Sequence, residues 1–504
     1  MKIIDDFLNS MTMYKTVLYG LILLTICAFI ASFMGSIPFP PHFLIFSLGT
    51  LVATCYGVNF LFAKLFKAPI NSESYIITAF ILFFLITPPI NGIGSLTPLI
   101  LASFFAMAAK YILAIKKKHL FNPAAIGAVI ITLLGFSASW WIATLALIPA
   151  TFLIGLLVIR KIRKFSLFLS FSLVVVIEMV IFSVFYQVQP VSVLSQLILS
   201  WPFLFFAAFM LTEPLTMPPT RPLQILYGAI VGFLFAFQLP LGFIHLSPEL
   251  ALVIGNVYSY FVSSKQRIIL TLIKIEKLTS TIYSYKFKPS ERLKFVAGQY
   301  VEWTLPHQKT DSRGNRRFFT IASSPTEAEI MLGVRIENDG SSFKKALLEL
   351  KKDAKISIGS LAGDFTIPQN PTDKLVFVAG GIGITPFRSI VKYLLDTNKK
   401  RDIIIFHVCS RASDFVYEDV FDRAKSEIGL KIIHVLTEED GVPKDFKGLL
   451  GHITKNMIKN NVADYKDRKY YISGSNIMVN STKSALFDLK ISPSQVITDY
   501  FSGY

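Results

Sequence analysis

The stretch RRFFTIASSP, residues 316–325, carries the first recognisable chemistry of the chain. Arg317 precedes an aromatic ring, Phe319, and a hydroxyl, Thr320, in a segment whose alternation suits a strand. A guanidinium can grip a flavin phosphate, a ring can cover an isoalloxazine face, and a hydroxyl beside N5 can stabilise the reduced ring. Further on, Gly340, Ser341 and Ser342 feed a short helix whose first N–H groups suit a pyrophosphate. In KLVFVAGGIGITP, Gly380, Gly381 and Gly383 follow a buried strand, and Thr385 and Pro386 open the next helix. A glycine turn between strand and helix lets a dinucleotide approach the backbone closely.

These groups need two scaffolds. Residues 268–368 read as six short β segments with turn residues between them, a small antiparallel barrel. From 374 the strand–turn–helix unit repeats, as in a parallel α/β sheet. The expected domains are 1–265, 266–370 and 371–504.

The first of these is of another kind. The chain is 53% hydrophobic with 45 Phe, too apolar for an ordinary soluble protein, and the excess lies before residue 268. Ten apolar stretches, at about 17–37, 43–62, 75–90, 97–115, 121–136, 140–159, 166–186, 194–211, 223–243 and 248–263, predict a polytopic α-helical membrane domain of about ten helices. With the N-terminus inside, the inner connections carry Lys64 and Lys67, Lys116 to Lys118, Arg160 to Lys164, Arg221, and Lys265 with Arg267, while the outer ones carry no Lys or Arg. That segregation predicts a multi-pass protein of the cell membrane with both termini in the cytoplasm, and it assigns the basic residues before 268 to cytoplasmic loops, so the net charge of +17 does not point to nucleic acid. Two inner connections have irregular backbone chemistry: Asn122 before Pro123, suited to an N-cap and first helical turn, and Thr212, Glu213 and Pro214 in TEPLTMPPTRP. Backbone of this kind is tolerated at membrane depth where it is buried in protein or lines a cavity, so both are candidate ligand sites. Three scattered cysteines build no metal or iron–sulfur site, and none is expected. His42, His119 and His245 are too few for a two-haem relay. Glu178, deep inside an apolar stretch, is a candidate for gating protons or cations.

Two resemblances sharpen this reading. Phe121–Ala124 as FNPA after a basic loop, and Thr212–Pro214 as a T-[DE]-P element, resemble the membrane subunits NqrB and RnfD of ion-translocating redox complexes over roughly 15–263. That resemblance implies a second flavin, FMN or riboflavin, in the membrane; the S-x-A-T type motif for covalent attachment has no good copy here, so the flavin would be held non-covalently. Residues 268–504 resemble the ferredoxin-NADP reductase superfamily through Arg317, Phe319 and Thr320, through Gly340–Ser342, through Gly380–Pro386, and through Ser473, Gly474, Ser475 and Met478 in place of its CGP-x-x-M turn. The resemblance implies that Thr320 and Ser473 lie at the reacting atoms, that Gly474 and Met478 line the nicotinamide site, and that Phe501, in an ending like E-x-F-x-G-Y with Asp499 in the acidic place, lies near the flavin. Ser410 and Arg411 stand where that family grips an adenosine 2′-phosphate, and Tyr417 is placed to stack on adenine.

The expected function is a membrane-bound NAD(P)H-dependent flavin oxidoreductase. Electrons would pass from cytoplasmic NAD(P)H through FAD to a membrane flavin, a quinone, a redox partner protein or an extracytoplasmic acceptor, with ion coupling open. The rivals are an ion transporter or channel under redox control, and a membrane-anchored flavin or iron-chelate reductase.

Overall fold

The computed structural model of the chain describes residues 7–8, 11–66, 72–90, 92–115, 118–237, 240–241, 244–263, 267–308, 310–311, 314–337, 340–438 and 442–499. It divides into two compact units, Met1–Lys265 and Gln266–Tyr504.

The first unit is helical: α1 (Met13–Phe33), α2 (Pro41–Leu65), α3 (Ser72–Leu85), α4 (Thr97–Ile112), α5 (Pro123–Leu133), α6 (Ile148–Ile162), α7 (Phe165–Phe185), α8 (Pro190–Leu199), α9 (Phe203–Met210), α10 (Arg221–Ala236) and α11 (Pro248–Val262). The expectation of ten spans of crossing length is corrected. Among the described residues three helices, α1, α2 and α7, are long and apolar enough to cross a membrane, or four if α8 and α9, bent by 62°, count as one broken span. At 1.5 Å per residue the 11-residue α5 is only about 17 Å long, against a hydrocarbon core of about 30 Å. The cause is visible between α5 and α6. Gly135 turns the chain with a φ of +89°, and the segment after it folds back into the unit instead of continuing as helix. Trp141 donates its indole N–H to the Phe83 carbonyl at 2.5 Å and packs edge-on against the Phe83 ring, while the Trp140 indole donates to Glu249. Apolar composition was therefore spent on a buried turn, which a hydropathy window cannot distinguish from a span.

Leu169, Leu173, Ile177, Ile181 and Phe185 repeat every fourth residue along α7, and all five are exposed. Its opposite side buries Leu167, Phe171, Val175 and Met179. A helix apolar on both its buried and its exposed face is a poor match to water.

The second unit has two sheets. The strands β1 (Ile268–Lys277), β2 (Ile282–Pro289), β3 (Tyr300–Thr304), β4 (Arg316–Thr320), β5 (Ile330–Arg335) and, after helix α12 (Ser342–Leu348), β6 (Lys355–Ala362) form an antiparallel sheet in the order β4-β3-β6-β1-β2-β5. It curls into a half-barrel around Tyr285, Phe287, Trp303 and Leu332. The expected barrel is thus open between β4 and β5, whose nearest link is the Ala322 N–H to the Met331 carbonyl. The second sheet is parallel throughout, in the order β10-β9-β8-β7-β11-β12, from β7 (Leu375–Gly380), β8 (Ile403–Cys409), β9 (Lys431–Leu436), β10 (Leu449–Leu450), β11 (Lys469–Ser473) and β12 (Val496–Asp499). Helices α13 (Thr385–Asp396), α14 (Glu418–Glu427), α15 (Lys455–Asn461) and α16 (Asn476–Asp488) lie between its strands in the chain. Strands β7 and β8 are buried along almost their whole length, as expected of parallel strands covered on both faces. The two sheets are tied by Arg388 of α13, which pairs with Glu327 and donates to the Ala322 carbonyl at 3.1 Å, and by Ser389, which donates to the Ser323 carbonyl at 2.7 Å.

Candidate functional site

The tie between the sheets leaves a cleft of about 660 Å³ at the C-terminal ends of the parallel strands, where open α/β sheets place their ligands. One wall comes from the half-barrel: Phe319 and Thr320 end β4, and Gly333 and Arg335 share one face of β5. The other comes from the parallel sheet: Gly380, Gly381, Gly383 and Thr385 after β7, Ser410 after β8, and Ser473, Gly474 and Met478 after β11. Segments far apart in sequence thus meet around one volume.

Glycine is required here by close approach. A Cβ on Gly383 would stand 2.5 Å from the Ser473 carbonyl oxygen and 2.7 Å from the Gly474 nitrogen, both backbone atoms. Gly381 adopts φ +52° at the start of the 3-10 turn Gly381–Ile384, which leads directly into α13. Pro386 lies buried within the first turn of α13 and fixes the turn's geometry from below.

At the floor, Thr320 Oγ1 donates to Asp499 Oδ2 at 3.3 Å. Asp499 ends β12 and is buried; burial lifts its carboxyl to about 7, against a smaller lowering by the Thr320 hydrogen bond. Cys409, also on the cleft, has its thiol pushed up to about 12 by burial and the Asp414 charge, so it is a neutral lining group rather than a thiolate.

The expected phosphate grip takes a different form. Arg317 is 1% exposed and turns away from the cleft; its Nη2 donates to both carboxylate oxygens of Asp311, at 3.1 and 3.2 Å. Ser342 N–H donates to Asp311 Oδ2 at 3.1 Å, and Asp311 N–H returns a bond to Ser342 Oγ at 2.9 Å. Ser341 caps α12 through its side chain, and Gly340 makes a tight turn onto the Glu337 carbonyl. Arg317 and the Gly340–Ser342 turn are therefore brought together, around an aspartate carboxylate.

Two expected contacts are not made. Arg411 lies on the surface with its side chain 72% exposed, bonded to Glu438 at 2.9 Å, because the chain leaves β8 outward after Ser410. Tyr417 is buried in the apolar core beneath the Arg388 guanidinium, so its ring offers no platform to an adenine in the cleft. Phe501 lies outside the described residues. The cations that do line the cleft are Arg335, whose Nη2 pairs with Asp414 at 3.0 Å, and Lys344 of α12. Neither was singled out from sequence, although the period-2 alternation of β5 puts Arg335 on the same face as Gly333.

In the helical unit, the two irregular connections converge. Asn122, Pro123, Thr212, Glu213 and Pro214 line one small cavity of about 50 Å³ together with Tyr14 and Ser74. Asn122 accepts from Ala125 N–H as N-cap of α5, and its own N–H donates to Asn256 Oδ1 at 2.8 Å. Glu213 accepts from Thr216 Oγ1 at 3.0 Å and lies 3.5 Å from His119 Nε2.

Residues 377–484 match the oxidoreductase NAD-binding domain family. The chain is 24% identical over 218 residues to the glycine betaine monooxygenase reductase subunit of Pseudomonas aeruginosa, covering 42% of this chain and 58% of that protein. It is 25% identical over 239 residues to the phenol hydroxylase P5 protein of Acinetobacter pittii, covering 46% and 64%. The matches thus span less than two thirds of these relatives' own length. Among solved structures, a ferredoxin NADP+ reductase from Neisseria gonorrhoeae with bound FAD and NADP superposes with a TM-score of 0.41 at 18% identity, over 47% of this chain and 99% of that one. The part of the parallel sheet that carries the Gly380–Gly383 turn is thus similar to the NAD-binding domain of oxidoreductases, and the relatives named are reductase components.

Proposed function

We propose that this chain is a membrane-bound reductase that takes electrons from cytoplasmic NAD(P)H into FAD in the C-terminal cleft and delivers them through the helical unit to a quinone or another membrane-held acceptor. The observation that carries the reading is the gathering of Thr320, the Gly380–Thr385 turn, Ser473–Met478 and Asp499 around one cleft. Its volume of about 660 Å³ is within the usual range for small-molecule sites, and Gly383 lets the turn after β7 pack directly on the Ser473–Gly474 backbone beside it. FAD bound there would supply two-electron acceptance from nicotinamide and one- or two-electron release.

The residues of the chain bind, orient and hold a proton. Thr320 presents its hydroxyl at the cleft floor, and Asp499 behind it, with a carboxyl near 7, holds a proton that the Thr320 hydroxyl can pass to the cleft. Ser473, Gly474 and Met478 form the wall against which a nicotinamide would be oriented. Arg335 and Lys344 supply positive charge for phosphates. Arg317 serves the same end only by exchanging Asp311 for a phosphate.

Membrane placement with both termini in the cytoplasm rests on the basic inner loops, the three long apolar helices, the exposed apolar stripe of α7 and the resemblance to NqrB and RnfD. The convergence of Asn122–Pro123 and Thr212–Pro214 on one cavity supports a ligand site there. At about 50 Å³ the cavity has room for one or two waters and not for an isoalloxazine, so no step is drawn through a second flavin. A second reading, coupling to ion movement, is favoured by Glu178, whose buried Oε2 has no hydrogen-bond partner among the described residues. Ion flux that requires NAD(P)H turnover and is lost in Glu178→Gln would support it, whereas flux that persists without turnover would point to a transporter or channel under redox control.

The test is flavin content and NAD(P)H oxidation of the purified whole chain. Arg317→Ala is expected to lose FAD and with it all NAD(P)H oxidation; normal flavin content in that variant would overturn the assignment of the grip.

A further inference from the structure

Strands β8 and β9 place two histidines side by side, away from the cleft residues described so far. His407 and His434 are register partners in the parallel ladder, so their side chains leave the same face of adjacent strands. Glu418, the first residue of α14, reaches over this pair because Tyr417 before it adopts a left-handed conformation, φ +65°, that turns the chain into the helix. Glu418 Oε2 lies 3.0 Å from His434 Nε2, and Glu418 Oε1 lies 3.4 Å from His407 Nδ1. One donor atom from each of the three lies within 4.8 Å of the others. Phe415 shields the group on one side, its ring 4.9 Å from that of His407 and 4.5 Å from that of His434.

Packing alone does not account for His407. Its side chain is 1% exposed, yet neither ring nitrogen has a hydrogen-bond partner among the described residues, and the 3.4 Å approach to Glu418 is not aligned as a hydrogen bond. A buried imidazole left in this way forfeits its solvation without return, a cost of about 1–3 kcal/mol. Glu418 Oε1 is likewise buried and unpartnered. Two imidazoles and one carboxylate are a common donor set for a divalent transition-metal ion, and with one donor atom from each within 4.8 Å of the others, small side-chain shifts would bring them to the roughly 3.3 Å spacing of ligands on a tetrahedral zinc. His434 and Glu418 are each about one-third exposed, which leaves water access for a fourth ligand.

We infer that His407, Glu418 and His434 form a binding site for a divalent transition-metal ion of the zinc class, with water as the remaining ligand. The ion would join β8, β9 and α14 at a point two residues before Cys409 and three before Ser410, which line the cleft. It would thus stiffen the strand end that faces the nucleotide, without touching a reacting atom. The inference does not depend on the membrane reading of the helical unit.

The experiment is titration of zinc chloride alone into the chelator-washed, untagged full-length protein in detergent, followed by calorimetry and by thermal unfolding. One saturable equivalent is expected, with a raised unfolding temperature. His434→Gln and Glu418→Gln should each weaken that binding at least about tenfold, with flavin content kept as the check on folding. Cobalt in place of zinc should give visible d–d bands that both substitutions abolish. Absence of saturable binding, or zinc affinity and cobalt bands that survive both substitutions, would overturn the site.

Discussion

The two units collect their motif residues in opposite ways. In the C-terminal unit, strand ends from two sheets stop short of one another and leave about 660 Å³ open; in the helical unit, two irregular connections close on one another and leave about 50 Å³. In the first, Gly383 lets the turn after β7 pack on the Ser473–Gly474 backbone, and the Arg388–Glu327 pair ties the two sheets. In the second, His119 of one connection lies 3.5 Å from Glu213 of the other, which also accepts from Thr216. A cleft of the first size admits a dinucleotide as it stands, whereas a cavity of the second size admits a larger ligand only by opening.

The largest effect that sharpens this contrast is expected at Gly383. Gly383→Val sets a side chain against the Ser473 carbonyl and should cut kcat/KM for NAD(P)H roughly a hundredfold while FAD stays bound. Stopped-flow reduction of the bound flavin measures this, and an unchanged rate would mean that the turn yields easily.

Next comes the helical cavity. Asn122→Ala removes an N-cap worth about 1 kcal/mol and should slow quinone reduction in proteoliposomes about tenfold, leaving oxidation of NAD(P)H by a soluble acceptor within about twofold. Equal losses in both assays would erase the distinction between the two units.

A smaller effect belongs to Asp499. Its folded carboxyl lies near 7 against an ordinary 3.8, so it favours folding least where it must ionise: stability is lost as the pH rises from about 4 through 7. Asp499→Asn should remove that loss, on the order of 2–4 kcal/mol at alkaline pH, and should also flatten any inflection near pH 7 in the turnover profile. Thermal unfolding and steady-state rates across pH 5–9 test both, and an unchanged profile would exclude Asp499 as a proton holder. The smallest effect is expected at Arg411, already engaged by Glu438 outside the cleft: Arg411→Ala should shift the NADPH to NADH ratio of kcat/KM by less than about threefold.

What could be read in the sequence follows the range of the interactions concerned. The Gly380–Pro386 turn was legible because strand, glycines and helix start are contiguous, and Thr320 because its strand alternates locally. Arg317 was expected to grip a flavin phosphate; its pairing with Asp311 was not legible, because Asp311 sits on an irregular connection with no local pattern. Tyr417 was misplaced because an aromatic beyond a strand end reads the same whether it faces the cleft or, as here, the core under Arg388. The helical unit misled for a different reason: Trp140 and Trp141 give a turn the apolar content of a span, and their indole N–H bonds to Glu249 and Phe83 become visible only in three dimensions. The histidine pair was unreadable for the same reason, since adjacency in a parallel ladder joins residues separated by a whole helix.

Asp311 has a consequence for how the protein matures. A newly made chain, on the proposed reading, does not wait with a naked guanidinium at its phosphate seat, because its own carboxylate already satisfies Arg317 and the Ser342 N–H. Flavin loading then becomes an exchange of one anion for another, with little change in the charge of the seat. On that reading, how readily Asp311 releases Arg317 sets how fast the flavin is taken up.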